Sequence, residues 1–156
     1  MVVKAAKAIA RQKLDVEIVV LGRLGRAAKS DRLRILGPYT NKELPKLIES
    51  ERIHVFWVPS VWPETYSYVT TELMRLNVPI ACFNLGAPAE RVARYPLGRV
   101  IERIDPVLAV KELVALARRA DALTTTRLNG ASEPAAGVDR KVARVEQAAE
   151  AVAART

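Results

Sequence analysis

The chain predicts an α/β fold: a Rossmann-like layered parallel sheet flanked by helices. Two observations predict it. Several short segments read as nearly unbroken apolar runs, as in Val16, Ile18, Val19 and Val20, in Val55-Phe56-Trp57-Val58, and in Ile80-Ala81-Cys82-Phe83. Strands buried on both faces of a parallel sheet have this composition. Between the runs lie segments with apolar residues at helical spacing, so strands and helices alternate, the pattern of a layered α/β domain.

In chain order, residues 2–12 are Ala-rich without Gly or Pro and predict a helix with Val2, Ala5, Ala6 and Ile9 facing inward. Residues 14–21 form the first strand, and Gly22-Arg23-Leu24-Gly25 turns the chain into a basic loop ending at Lys29. Residues 33–36 give a short strand stopped by Gly37-Pro38. Thr40 or Asn41 then caps a helix reaching about Glu51, with Pro45 in its first turn. Residues 53–58 are the next strand, and residues 67–77 a helix with Val69, Leu73 and Leu76 at core spacing. Asn77 ends that helix, and Val78-Pro79 forces the chain out of it. Residues 80–83 form a strand, 89–93 a short helix and 98–101 a last strand. Asp105-Pro106 starts a helix to about Ala120. The expected organisation is a domain over 1–120, incomplete at its N-terminus, a polar linker over 121–137 and a C-terminal helix over 138–156. A sheet that opens with a helix is unusual, because a doubly wound half begins with its phosphate-binding strand and turn.

Composition narrows the function classes. No apolar stretch approaches the roughly 20 residues of a membrane span, and the first residues lack the apolar core of an export signal. One cysteine (Cys82) and one histidine (His54) argue against a disulfide framework and a Cys/His zinc site. The expected setting is cytoplasmic, with the inner face of the membrane as the alternative for the full-length protein. The net charge of +8 is spread along the chain. It fits a solvated Arg-rich surface, an anionic ligand or, more remotely, nucleic acid, although no nucleic-acid-binding pattern is present.

The chemistry concentrates in residues 59–72. In open parallel sheets ligands bind beyond the carboxyl ends of the strands, where this loop belongs. Glu64 lies in the loop and Glu72 in the second turn of the following helix. Two carboxylates there can accept hydrogen bonds from sugar hydroxyls, while helix-start N–H groups at Tyr66, Ser67, Tyr68 and Val69 can hold a diphosphate. Tyr66 and Tyr68 offer flat surfaces for a ring. The alternative is that Glu64 supports the helix dipole and Glu72 is a solvated helix residue.

The run Pro59-Ser60, Pro63-Glu64, Glu72, Val78-Pro79-Ile80, Gly86 and Glu90-Arg91-Val92 resembles the C-terminal domain of family 4 retaining glycosyltransferases of the GT-B fold. Residues 62–68 and 86–92 are closest to bacterial members that build rhamnan-type and other surface polysaccharides. The resemblance covers roughly residues 14–118 and is specific only in the Glu-x7-Glu block. It implies the donor-binding portion of a hexosyl- or deoxyhexosyltransferase, acting on a nucleotide-sugar without a metal or other cofactor. Glu64 would contact the donor sugar and is the candidate catalytic-site residue; Glu72 would hold the ribose. The amides of Tyr66, Ser67 and Tyr68 would hold sugar and diphosphate, and Gly37 and Pro38 would lie near the base.

Thr65 and Ser67 replace glycines that many members carry beside the aromatic residue, and Asn77 replaces a glycine before Val-Pro. The family's opening strand with its Arg and Lys, and its acceptor-binding N-terminal domain, have no counterpart in these residues. The expectation is therefore a fragment inactive on its own and partnered by the missing acceptor domain. The alternative reading is a non-catalytic Rossmann-like binding or interaction module, remotely a basic nucleic-acid-binding domain.

Overall fold

The computed structural model describes residues 1–25, 30–129 and 143–148. The elements are α1 (Val2–Arg11), β1 (Val16–Leu21), β2 (Leu33–Gly37), α2 (Leu44–Ser50), β3 (Ile53–Val58), α3 (Tyr68–Arg75), β4 (Ile80–Phe83), α4 (Gly86–Ala93), β5 (Gly98–Ile101), α5 (Pro106–Asn129) and β6 (Ala143–Ala148). The strands form one parallel sheet in the order β2-β1-β6-β3-β4-β5. All strands end on the same edge, and the loops leaving that edge build the site described below.

The apolar runs pack on both faces of the sheet, as their composition requires. On one face Val16, Ile18, Val20, Val55, Trp57 and Phe83 meet α1 and α5. Trp57 and Phe83 meet edge to face there, with centroids 5.7 Å apart. On the other face Leu21, Phe56, Val58, Ile80 and Cys82 meet Leu44 of α2, Leu73 of α3 and Val92 of α4. Each such fully buried large side chain contributes roughly 1.5–3 kcal/mol of transfer free energy. The domain is thus a three-layer α/β sandwich with helices on both sides.

Three local differences from the sequence expectation have physical causes. Helix α2 begins at Leu44 rather than after Thr40 or Asn41. The N–H and hydroxyl of Thr40 both donate to the Glu43 carboxylate, at 2.7 and 2.8 Å, and stabilise a separate turn ahead of the helix. Helix α4 begins at Gly86, not Ala89. Helix α5 runs on to Asn129, through the first part of the expected linker, because no Gly or Pro interrupts the chain before Gly130.

Strand β6 is the largest difference. Within the expected C-terminal helix, residues 143–148 are a strand lying between β1 and β3; the rest of 130–156 lies outside the described residues. Ala, Arg, Glu and Gln favour helix, but the preference is only tenths of a kcal/mol per residue. The lane between β1 and β3 offers ladder hydrogen bonds on both sides, with Val145 opposite Ile18 and Val55. Unpaired buried backbone groups in that lane would cost about 1–3 kcal/mol each, which outweighs the propensity.

Candidate functional site

The site is built from the loop that leaves β3. After Val58, residues 59–67 cross the carboxyl edge and enter α3, whose N-cap is Ser67. Ser67 is buried, and its hydroxyl accepts from the Thr70 amide at 3.4 Å. The amides of Tyr66, Ser67, Tyr68 and Val69 donate to no acceptor among the described residues. They form the positive end of the helix and can take an anion.

Two contacts from α4 hold this loop. The Glu64 carbonyl accepts from the Ala87 amide at 2.9 Å. Gly86 has φ +57°, and a Cβ there would lie 2.5 Å from the Glu64 carbonyl oxygen and 2.8 Å from its nitrogen. Only glycine permits both that backbone conformation and that approach. One turn later, Arg91 reaches across to α3. Its guanidinium donates to the Ser67 carbonyl at 3.1 Å and to Thr71 Oγ1 at 2.8 Å. It also lies over the Tyr66 ring, 5.1 Å from the centroid. The Tyr66 hydroxyl and Thr71 Oγ1 are hydrogen-bonded at 3.0 Å, and Tyr68 packs edge to face on Tyr66 at 4.9 Å. Hydrogen bonds from a charged donor contribute about 1.5–3 kcal/mol each when shielded from water, and less here because Arg91 is only half-buried.

The carboxyls of Glu64 and Glu72 are half-buried and take no hydrogen bond or ion pair among the described residues. Glu64 Oε1 is enclosed without a donor. Partial burial raises the Glu72 carboxyl above its ordinary value by penalising the charged form. The Glu64 carboxylate also acts on Cys82 in β4. Burial first, and that negative charge second, push the Cys82 thiol up to about 12. A thiol held protonated in this way is a packing group, not a nucleophile.

Glu64, Tyr66, Ser67, Tyr68, Val69 and Glu72 therefore share one loop-to-helix unit at the end of β3. Gly37 and Pro38 lie elsewhere on the same edge, at the end of β2. They line a depression of about 310 Å³ with Leu21, Leu36, Tyr39 and Lys46. Three strand spacings separate the two places, roughly 14 Å. The turn glycine Gly22 is committed to structure: its amide donates to the Gly37 carbonyl at 2.7 Å, tying the ends of β1 and β2. Trp62 and Tyr68, on the same loop-to-helix unit, stand 76% and 80% exposed.

Arg91 and Thr71 have no assigned role in the sequence reading. Ser67 and Arg91 are 24 residues apart, so no spacing rule links them; only the juxtaposition of α3 and α4 does. The one signal was Arg91's place five residues after Gly86. Among the described residues no cluster of His, Cys, Asp and Glu could hold a metal ion, and no helix is long and apolar enough to cross a membrane. Comparison of the chain with protein-family models, curated proteins and solved structures finds no match in any of the three.

Proposed function

We propose that this chain is the donor-nucleotide-sugar-binding portion of a retaining glycosyltransferase that serves bacterial polysaccharide synthesis. One observation carries the reading: two half-buried carboxyls, Glu64 and Glu72, flank a helix start, and among the described residues neither the carboxyls nor the helix-start amides have a hydrogen-bonding partner. A carboxylate in that condition is an acceptor, and free helix-start amides are donors for an anion. A nucleoside diphosphate sugar presents both complements, neutral hydroxyl donors flanking a diphosphate.

In this reading Glu72 accepts from the ribose hydroxyls and Glu64 from hydroxyls of the donor sugar. The amides of Tyr66, Ser67, Tyr68 and Val69 hold the diphosphate. The depression beside Gly37 and Pro38 receives the base, and the span between the two places suits an elongated ligand lying along the carboxyl edge. The ligand's binding energy would orient the sugar's leaving group over the amides, which favour the negative charge that grows there as the glycosidic bond breaks.

The test is titration of the 15N-labelled protein with uridine, guanosine and thymidine diphosphate sugars. Amide shifts at residues 66–72, lost in Glu72→Ala, are the expected outcome. If none of these nucleotides moves those amides, the donor-site reading is wrong for this chain.

A further inference from the structure

We infer that Arg91 is the positioning residue of the loop-to-helix site. Its importance for ligand binding rests on the donor reading; its effect on the loop does not.

Three separate atoms or groups of the turn converge on one guanidinium. The Ser67 carbonyl and Thr71 Oγ1 take its N–H groups, and the Tyr66 ring takes its cationic face. Thr71 Oγ1 also donates to the Ser67 carbonyl at 3.3 Å, so the acceptors are themselves linked. Among the described residues Arg91 pairs with no carboxylate. Its charge is thus spent on neutral acceptors of the turn, an arrangement that a planar fork satisfies and a lysine ammonium cannot reproduce in full.

The neighbouring constraints explain why such a clamp is needed. Glu64 is held from the Gly86 and Ala87 side, and the side-chain cap of the helix among the described residues is the long Ser67–Thr70 contact. Between them Thr65 and Tyr66 are exposed and have no backbone hydrogen bond among the described residues. Arg91 closes that gap by fixing the ring of Tyr66 and the carbonyl of Ser67 together. The turn's four amides have no acceptor among the described residues, and the guanidinium, 3.1 Å from the Ser67 carbonyl, adds positive potential to the turn. This partly compensates for the absence of other cations in the loop itself.

Amide hydrogen exchange of the ligand-free full chain tests this, so its failure and that of the donor reading are distinguishable. In Arg91→Gln, the protected amides of Thr70 and Thr71 should exchange at least about tenfold faster. The amides of Phe56 and Ile80, held by the Pro79 and Leu97 carbonyls, should stay unchanged. Arg91→Lys should recover part of the protection. Unchanged exchange at Thr70 and Thr71, or an equal rise throughout the protein, overturns the inference. Should Arg91→Gln fail to fold, Thr71→Val removes one acceptor and leaves Arg91 in place. It should speed exchange at Thr70 in the same direction, and no change there is equally fatal.

Discussion

Replacing Gly86 by alanine should damage the protein through two separable effects. The first is conformational: Gly86 sits at φ +57°, where a residue with a Cβ costs about 1 kcal/mol more than glycine. The second is steric. The new Cβ would lie 2.5 Å from the Glu64 carbonyl oxygen, 2.8 Å from the Glu64 nitrogen and 3.2 Å from the Pro63 carbonyl carbon. All three are backbone atoms, so no side-chain rotation relieves the overlap, and forced shifts of this kind cost roughly 1–3 kcal/mol. Their sum is about 2–4 kcal/mol, or a Tm lower by roughly 5–15 °C for a chain of this size. Gly37 supplies the control: its φ is +88°, but a Cβ there meets nothing within 4 Å. Gly37→Ala should therefore show the conformational effect alone, about 1 kcal/mol. Urea unfolding of both variants reads the difference. Gly86→Ala falling within about 0.5 kcal/mol of Gly37→Ala would refute the claim that α4 holds the loop by close approach.

Three further outcomes follow from the same geometry. Glu72 keeps its proton to higher pH in the folded protein than in the unfolded chain, so its contribution is present below the ordinary 4.5 and is lost as pH rises through the raised value. Urea midpoints from pH 4 to 7 should show that decline in the parent and not in Glu72→Gln; parallel curves for the two proteins would contradict the burial. Cys82, at about 12, should resist a thiol reagent at pH 8 in the native state and react fully in denaturant. Native labelling at the denatured rate would contradict its place in the core. Val145→Pro should destabilise by roughly 1–3 kcal/mol, because a central strand loses a ladder donor and leaves the facing carbonyl unpaired. A near-neutral effect on thermal unfolding would exclude β6 from the sheet.

The layered fold was legible because β1, β3 and β4 are buried on both faces and so carry unbroken apolar runs, which few other structures require. The ending of α3 was legible too. Asn77 adopts φ +54° directly after the C-cap Leu76, a position that asparagine tolerates better than most residues. Arg52 and Lys13 take the same conformation after α2 and α1, and nothing in their chemistry announces it. The placement of Glu64 before α3 and Glu72 within it follows from local signals, whereas the clamp by Arg91 arises only when two helices meet. β6 was illegible for a related reason: its residues favour helix locally, and the decision is made by two strands far away in sequence.

That central strand also sets the order in which the molecule can be assembled. Neighbours β1 and β2 can pair early, as can β3, β4 and β5, but neither block touches the other through the sheet. The bridge pairs residue 18 with residue 145 and residue 55 with the same residue. Such pairing demands closure of a very long loop before any ladder bond is gained, and topologies of this kind fold slowly. Until β6 is seated, the two slabs have open edges and are held together by α1 against α5. Exposed parallel edges are where chains pair wrongly with one another. Closing those edges thus falls to six residues, 143–148, whose partners in the ladder are about 90 to 130 positions earlier in the chain.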